Sequence, residues 1–258
     1  MFIIGGADSR ELSRFGEVVH HLEAVTSTQD VTKDMASRGA PEGTVVVAKK
    51  QTQGRGRLGR KWFSPEGGLW FSVIMRPEIA PSEAPKITLL GAVSIARAVR
   101  EVTELKAEIK WPNDILIKDQ KVAGILTEGS AVSNQLSFVL LGVGINVNVD
   151  ISIFPEGLLM PATSLSAEGG KEIELPLLLQ SCLKHLEGYY ALLKTDFEKI
   201  LGEWREFSAI LGRQVRVSSL GEALEGVATD VDEEGALLLK VSSGEVKTVR
   251  TGDLFILK

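Results

Sequence analysis

The sequence is poor in the residues from which disulfides and metal centres are built. It holds one cysteine, Cys182, and three histidines among 258 residues. A single cysteine excludes an internal disulfide and a multi-cysteine metal site, and it is typical of a reducing compartment. His20 and His21 are adjacent on a predicted strand and point to opposite faces, so they do not form a chelate. Cys182 lies in a helical pattern, which favours a core position over a role as nucleophile.

The sequence also lacks a net positive charge and long apolar runs. The formal net charge is −5 and the pI is near 5.4, which argues against a dedicated nucleic-acid binder. No uninterrupted apolar run reaches about 18 residues, so no membrane span is expected. The N-terminal residues 1–10 lack a basic segment followed by a sufficient apolar stretch, so we expect no signal peptide. These absences together predict a cytoplasmic protein that binds neither DNA nor membrane.

The hydrophobic periodicity predicts strands and helices in alternation, followed by a β-rich tail. Ser27 or Thr28 is expected to cap the first helix, because their hydroxyl groups accept bonds from free backbone N–H groups. After residue 212, short β-rich runs broken by glycines predict a small antiparallel barrel. The predicted elements are strands over 17–25, 44–50, 69–75 and 135–149, a hairpin over 107–129, and helices to about residue 38, over 82–103 and over 176–211.

The segment GRGRLGRKWFSP, residues 54–65, concentrates cations in an acidic protein. Its glycines permit close approach of the backbone to a ligand, and its arginine side chains match carboxylate and phosphate geometry. The aromatic pair Trp62 and Phe63 adds an apolar wall, which favours a specific anion site over the alternative of a solvated basic loop. The charged and glycine positions are Gly54, Arg55, Gly56, Arg57, Gly59, Arg60 and Lys61.

Three further motifs could carry chemistry. In KWPND, residues 110–114, a lysine beside an asparagine and an aspartate suits a polyphosphate with Mg²⁺, although Asn and Asp could equally form a turn. In KVAGIL, residues 121–126, Lys121 is either a ligand contact or an exposed strand end, and Gly124 indicates close approach. In GVGINVN, residues 142–148, the spacing does not fit a dinucleotide fingerprint. The sequence has neither a phosphate-binding GxxxxGK[ST] loop nor a G-x-S-x-G elbow.

These four motifs, in this order, resemble the biotin–protein ligase family. VTSTQ, residues 25–29, is similar to the family's biotin-contacting segment, with Gln29 where asparagine is usual. The tail from residue 212 resembles the family's C-terminal barrel. The resemblance implies an α/β fold of the α+β type, with a mixed-sheet catalytic domain over residues 1–211 and a small antiparallel β-barrel over 212–258.

The resemblance also implies a reaction in two steps. Biotin attacks the α-phosphate of ATP with Mg²⁺ present, giving biotinyl-5′-AMP. A lysine of a biotin carboxyl carrier protein or domain then takes the acyl group. No covalent enzyme intermediate forms, which agrees with the lack of an activated nucleophile. Because the first motif begins close to the N-terminus, the resemblance implies a ligase without the winged-helix repressor domain of many members. A homodimer is a possible assembly.

Residue roles are carried over from the same resemblance. Catalytic roles fall to Lys121, Arg57 and Asp114, and Asp114 is the candidate that helps hold Mg²⁺ or orients its neighbours. Lys121 is expected to bridge the biotin carboxylate and the α-phosphate. Trp62 is expected beside the adenine. The full set of implied biotin and ATP contacts is Ser27, Thr28, Gln51, Gly54, Arg55, Gly56, Arg57, Arg60, Trp62, Lys110, Asn113, Lys121, Gly124 and Asn146.

Two other functions stay open on the sequence. Lipoate–protein ligases share the catalytic fold, although GRGRLGRKW together with KWPND favours biotin. A binding module could instead use the arginine loop on nucleic acid or a partner protein. That alternative predicts salt-sensitive association without ATP consumption.

Overall fold

A seven-stranded mixed sheet forms the larger part of the protein. The computed structural model describes residues 14–132, 135–219 and 222–257; residues 1–10, where the sequence predicts no signal peptide, lie outside these ranges. The sheet order is β1-β2-β3-β7-β6-β5-β4, with β1 and β2 parallel and the other neighbours antiparallel. Its strands are β1 Val19–Val25, β2 Val45–Gln51, β3 Leu69–Met75, β4 Glu108–Lys110, β5 Asp114–Ile117, β6 Gln120–Val132 and β7 Gln135–Ile145.

A separate antiparallel sheet follows in the C-terminal part. Its order is β11-β10-β9-β8-β12, so the expected mixed sheet followed by an antiparallel tail is confirmed. The tail is not a closed barrel, however, because no ladder joins β11 to β12 among the residues described. The domain boundary at 211/212 stays a prediction. The strands are β8 Gln214–Ser219, β9 Glu222–Val231, β10 Leu237–Val241, β11 Val246–Val249 and β12 Asp253–Ile256.

Helices cover the larger sheet and supply much of the core. They are α1 Thr28–Ser37, α2 Ala84–Thr103, α3 Leu165–Gly169, α4 Leu175–Leu192 and α5 Phe197–Phe207. The side of α2 that faces the sheet is fully buried and includes Leu90, Val93 and Val99. Trp70 and Trp111 are also among the large buried side chains. Between the ends of the described ranges, no helix is long and apolar enough to cross a membrane.

The helical region predicted over 176–211 is in fact two helices. The chain leaves α4 after Leu192, and Asp196 begins α5 by accepting a bond from the backbone N–H of Lys199 at 3.3 Å. An aspartate is a strong helix N-cap because its carboxylate takes up a free N–H group. Cys182 is buried in α4, and burial raises the pKa of its thiol, which agrees with a core role.

The start of α1 differs from the predicted cap in one respect. Ser27 is the N-cap residue, but its side chain makes no capping hydrogen bond. Ser27 is nevertheless buried, and it lines the cavity described below. β1 and β2 lead to α1 and to the segment 54–62, and β7 and β6 follow β3 within the same sheet. The fold thus brings all four motifs to one side of the larger sheet.

Candidate active site

A cavity of about 630 Å³ opens where the larger sheet meets β12 and the residues before it. The structure brings together nearly all of the residues that the sequence singled out. Gly54 is the exception: its carbonyl oxygen accepts from the Trp62 N–H at 2.8 Å, and it does not line the cavity. The predicted residues that line it are Ser27, Thr28, Gln51, Arg55, Gly56, Arg57, Arg60, Trp62, Lys110, Asn113, Asp114, Lys121, Gly124 and Asn146.

One end of the cavity is built from neutral polar groups. The Gln51 side chain accepts from the Thr28 N–H at 2.8 Å and donates to the Ser64 hydroxyl group at 2.8 Å. The Thr28 hydroxyl group lies 2.8 Å from that of Ser72. The Gln51 amide is therefore fixed at both ends. A rigid set of neutral donors and acceptors suits an uncharged polar group of a ligand better than a phosphate.

The opposite end is charged, and its centre is a buried carboxylate between two lysines. Lys110 Nζ lies 3.0 Å from one oxygen of Asp114, and Lys121 Nζ lies 2.5 Å from the other. Burial works against the charged carboxylate, but Lys121 and Lys110 outweigh it and hold the pKa of Asp114 below its usual value. Asp114 thus stays ionised and keeps both ammonium groups pointed into the cavity, with one net positive charge left for a bound anion.

We expect Asp114→Asn to destabilise the fold by on the order of 3 kcal/mol, because two ammonium groups would lose their buried counter-charge. The measurement is chemical denaturation across pH. A carboxylate with a lowered pKa contributes stability above the ordinary aspartate pKa of about 3.9, and that contribution is lost as the pH falls through the folded value. The difference between wild type and variant should therefore be constant near neutrality and shrink below about pH 4. A difference that grows on acidification would contradict this assignment.

Three arginines of the loop 54–61 are held by partners from different elements. Arg55 pairs with Asp30 of α1 at 2.5 Å and with Glu128 of β6. Arg60 makes a two-pronged pair with Asp253 of β12. The described form of the loop is thus anchored to both sheets.

Arg57 lies deepest in this loop. It donates to Asn113 Oδ1 at 3.0 Å and to the Gly252 carbonyl oxygen at 3.2 Å. Burial lowers the pKa of Arg57 from its ordinary value, partly offset by Asp253 and Asp114. An arginine nevertheless stays protonated in proteins. A half-buried, fixed guanidinium beside Asn113 is suited to binding an anion that enters the charged end.

The floor of the cavity is a pair of glycines under an indole ring. Gly124 of β6 and Gly144 of β7 are register partners across the ladder. A Cβ on Gly144 would lie 2.5 Å from Trp62 Nε1, and one on Gly124 would lie 3.0 Å from the Trp62 ring. Lys121 Nζ stands 5.0 Å from the centre of the same ring. Only glycine at both positions lets a flat ring lie against the strand backbone.

Gly144→Ala should therefore push Trp62 off the floor, with a loss of stability of about 1–3 kcal/mol, the usual cost of overpacking. Thermal unfolding and tryptophan emission report the two effects. The matched control is Gly188→Ala in α4, where an added Cβ meets nothing within 4 Å. Alanine inside an exposed helix position should stabilise by about 0.5–1 kcal/mol relative to glycine. Equal changes in unfolding temperature and tryptophan emission for the two variants would show that the contact between Gly144 and Trp62 does not contribute to stability.

The two asparagines of the motifs differ in their surroundings. Asn113 Nδ2 donates to the Ile125 carbonyl oxygen at 2.8 Å, which leaves its Oδ1 for Arg57. Asn146 Nδ2 donates to the Thr163 carbonyl oxygen at 3.0 Å. Both side chains are buried and both brace the loops around the cavity. Their Nδ2 groups are used within the protein, so any ligand contact falls to Asn146 Oδ1.

Sequence reasoning missed several residues of the site. Asp253 comes from β12 of the C-terminal sheet and the backbone of Gly252 from the residue just before it, and no motif connects either to the arginine loop. The segment 154–162 also lines the cavity, and Phe154 contacts Phe63 with ring centres 6.3 Å apart. The apolar residues Leu158 and Leu159 in this predicted loop are the sequence signal that could have indicated a role in the site. In the structure both side chains are exposed. Gln29, which sequence reasoning treated only as a departure from a motif, lines the cavity too.

Comparison with known proteins places this site in a family. A profile described as the biotin/lipoate A/B protein ligase family matches residues 22–146, and one described as the biotin protein ligase C terminal domain matches 210–257. The bifunctional ligase/repressor BirA of Bacillus subtilis is 39% identical over 241 residues, covering 93% of this chain and 74% of that protein. The chain belongs to the biotin–protein ligase family. The predicted family is thereby confirmed.

Two further family members extend the likeness. The biotin–[acetyl-CoA-carboxylase] ligase of Mycobacterium tuberculosis is 31% identical and is covered over 89% of its length. The solved structure of the Aquifex aeolicus biotin protein ligase in complex with biotin and ATP is 30% identical, with a TM-score of 0.79 over 94% of this chain and 99% of that one. The likeness therefore extends through both sheets. The roles of single residues stay predictions.

Proposed function

We propose that this protein is an ATP-dependent ligase that activates biotin as biotinyl-5′-AMP and transfers the biotinyl group to a lysine of a biotin carboxyl carrier domain. In the first step a biotin carboxylate oxygen bonds to the α-phosphorus of ATP, and the bond to pyrophosphate breaks. In the second step the lysine amine takes the acyl group, AMP leaves, and the amine loses a proton. The family membership supports this reaction, and the site contains residues suited to both substrates.

The observation that carries the proposal is the convergence of Lys110 and Lys121 on Asp114 in the charged end of the cavity. The first step joins two anions, so their repulsion has to be offset by fixed cations. Lys121 Nζ lies 2.5 Å from Asp114 Oδ1 and 5.0 Å from the centre of the Trp62 ring. In this proposal Lys121 contacts the biotin carboxylate and the α-phosphate together, and Lys110 contacts the remaining phosphates.

The arginine loop complements the two lysines in this proposal. Arg57 contacts the carboxylate and phosphate side of the adenylate, and Arg60 the ATP phosphates after release from Asp253. Arg55 secures the loop through Asp30 and Glu128. Trp62 and the glycine floor supply a flat surface for a ring. Ser27, Thr28 and Gln51 form the neutral end for the ureido ring of biotin.

Mg²⁺ is the metal that this reaction implies, and the contacts of Asp114 bear on where it binds. Both carboxylate oxygens of Asp114 already accept from lysines. No group of three or more histidine, cysteine, aspartate or glutamate side chains that could hold a metal occurs within residues 14–132, 135–219 and 222–257. We therefore assign Asp114 to orienting Lys110 and Lys121 and not to metal binding. Mg²⁺ would be held chiefly by ATP phosphate oxygens, where it offsets their charge.

The deciding experiment is biotin-dependent release of pyrophosphate from ATP. The purified protein should release pyrophosphate with biotin and label a biotin carboxyl carrier domain. Lipoate in place of biotin tests the related acid, and a carrier whose target lysine is replaced by arginine is the control for specific transfer. Equal release with lipoate would favour a lipoate ligase. No release with either acid, together with salt-sensitive binding to nucleic acid, would favour a binding module.

The finer assignments follow from this proposal. The partner is a biotin carboxyl carrier protein or domain of a biotin-dependent carboxylase or decarboxylase. The net charge of −5 supports a ligase that does not bind DNA, and the single cysteine supports a cytoplasmic location. A homodimer is tested by sedimentation with and without biotin and ATP. Binding to double-stranded DNA at low salt would overturn the assignment that this ligase does not bind DNA.

A further inference from the structure

A carboxylate of the C-terminal sheet binds one of the cations at the charged end of the cavity. Asp253 of β12 accepts from two nitrogens of the Arg60 guanidinium, with Nη1 at 2.8 Å from Oδ1. Both residues line the cavity. Two parallel bonds from one guanidinium are also the geometry with which arginine binds phosphate. Arg60 can therefore bind the Asp253 carboxylate or a phosphate, but not both with the same two groups.

The same carboxylate interacts with other cations at that end. Its bond with Arg60 is the largest cause that holds the pKa of Asp253 below its usual value, and the charges of Arg57 and Lys110 act in the same direction against the effect of burial. These three cations are the ones that the proposed function assigns to the phosphates and the adenylate. A negative charge that attracts them also repels the phosphates that they bind. Asp253 therefore opposes the binding of a polyphosphate while its carboxylate stays among these cations.

The turn between Arg57 and Arg60 is fastened to the C-terminal part of the chain at both of its ends. Arg57 donates to the Gly252 carbonyl oxygen at 3.2 Å, and Arg60 donates to Asp253. Leu58, inside the turn, has a φ of 55°, in the left-handed region that residues other than glycine rarely adopt. Leu58 is 70% exposed, so packing of its side chain does not account for this conformation. The turn therefore depends on its end contacts, and the contact with Asp253 is the one that a phosphate can replace.

We propose that Asp253 is a positioning residue that exchanges Arg60 with the triphosphate of ATP. The triphosphate takes Arg60 from Asp253 when it binds, and Asp253 takes Arg60 back when pyrophosphate leaves. No covalent bond changes, since only the hydrogen bonds of one guanidinium move between two sets of oxygen atoms. The inference rests on the proposed function, because it takes ATP as the nucleotide. It has two consequences: Asp253 weakens the binding of pyrophosphate and so speeds its release, and it refastens the arginine loop before biotinyl-5′-AMP reacts further.

The test compares Asp253→Asn with wild type in two measurements. Calorimetric titration with inorganic pyrophosphate, without added metal, should show about 5- to 10-fold tighter binding to the variant, because one exposed charge pair is worth up to about 5-fold and pyrophosphate carries several charges. The off-rate of biotinyl-5′-AMP should rise by about 3- to 5-fold, because Arg60 loses its charged partner in the C-terminal sheet. Damage to packing alone would weaken the binding of both ligands. Shifts in opposite directions therefore identify the exchange.

Asp230→Asn is the matched control. Asp230 lies in β9 of the same sheet, pairs with Arg205 at 2.8 Å and does not line the cavity. The change removes the same charge and should alter both measurements by less than about 2-fold, as expected for a surface substitution. Equal effects of the two variants, or weaker binding of pyrophosphate to Asp253→Asn, would overturn the proposal. If Asp253→Asn fails to fold, Asp253→Ser removes the same carboxylate and should produce the same two shifts.

A double-mutant cycle with Arg60→Gln tests whether Asp253 acts through Arg60. In the Arg60→Gln background, Asp253→Asn should change the affinity for pyrophosphate by about 2-fold or less, because only the weaker interactions with Arg57 and Lys110 remain. An effect as large as in wild type would overturn the exchange at Arg60. Wild type that releases pyrophosphate from ATP with biotin, while Asp253→Asn binds pyrophosphate no more tightly, refutes only this inference. Wild type without such release refutes the proposed function itself.

Discussion

Replacing Lys121 with alanine is expected to slow formation of biotinyl-5′-AMP by on the order of 10²–10³-fold, the usual loss when one fixed donor to a developing charge is removed. The fold should persist, because Lys110 still pairs with Asp114 at 3.0 Å. The measurement is single-turnover release of pyrophosphate at saturating biotin and ATP. Saturation separates a loss in the chemical step from weaker binding of either substrate.

Lys118→Ala is the matched control for this prediction. Lys118 lies in the turn just before Lys121, is largely exposed, and pairs with Glu168 away from the cavity. Its removal changes the net charge by the same amount and should leave the rate unchanged within about 2-fold, as expected for a surface substitution. Equal rates for Lys121→Ala and wild type would mean that Lys121 is only a strand-end residue, and the proposed bridge between the two anions would fail.

The fold can be predicted where local chemistry dominates. The apolar pattern of α2 and the strands of the larger sheet are predictable because buried faces repeat with the period of each element. The pattern over 176–211 predicts one helical region because its apolar stripe continues past Leu192. The break is marked only by the N-cap Asp196, and one residue is too weak a signal to divide the pattern into two helices. The open edge between β11 and β12 could not be predicted, because closure depends on strand tilt and pairing and not on composition.

The site can be predicted as a set of residues but not as a network. The motifs identify Lys110, Asp114 and Lys121, and the short spacing of these residues along the chain makes contact between them plausible. The partner of Arg60 is Asp253, far along the chain in the second sheet, and no local pattern connects the two. Among the residues described, Gln29 Oε1 is buried without a hydrogen-bond partner, and this is a property of three-dimensional packing. Such long-range pairings become visible only when both sheets are in place.

Replacing Arg57 with alanine is expected to speed the loss of biotinyl-5′-AMP from the enzyme by about 10- to 150-fold. That range corresponds to one charge-assisted hydrogen bond of roughly 1.5–3 kcal/mol. Because Asn113 and the Gly252 carbonyl oxygen already hold the guanidinium, little entropy is lost when it meets the adenylate. The measurement is the adenylate off-rate, followed by rapid mixing with an excess of unlabelled biotin and ATP.

A second readout follows from the chemistry of the released intermediate. Free biotinyl-5′-AMP is an activated acyl donor, so Arg57→Ala should label lysines of an added protein that is not a carrier. Lys50→Ala is the control, since it removes one exposed cation that pairs with Glu66 and does not line the cavity. That variant should retain the adenylate and label only the carrier. If Arg57→Ala has the wild-type off-rate and labels no bystander, Arg57 serves only to join the loop to Gly252 and Asn113. Its effect should then appear as a lower unfolding temperature alone.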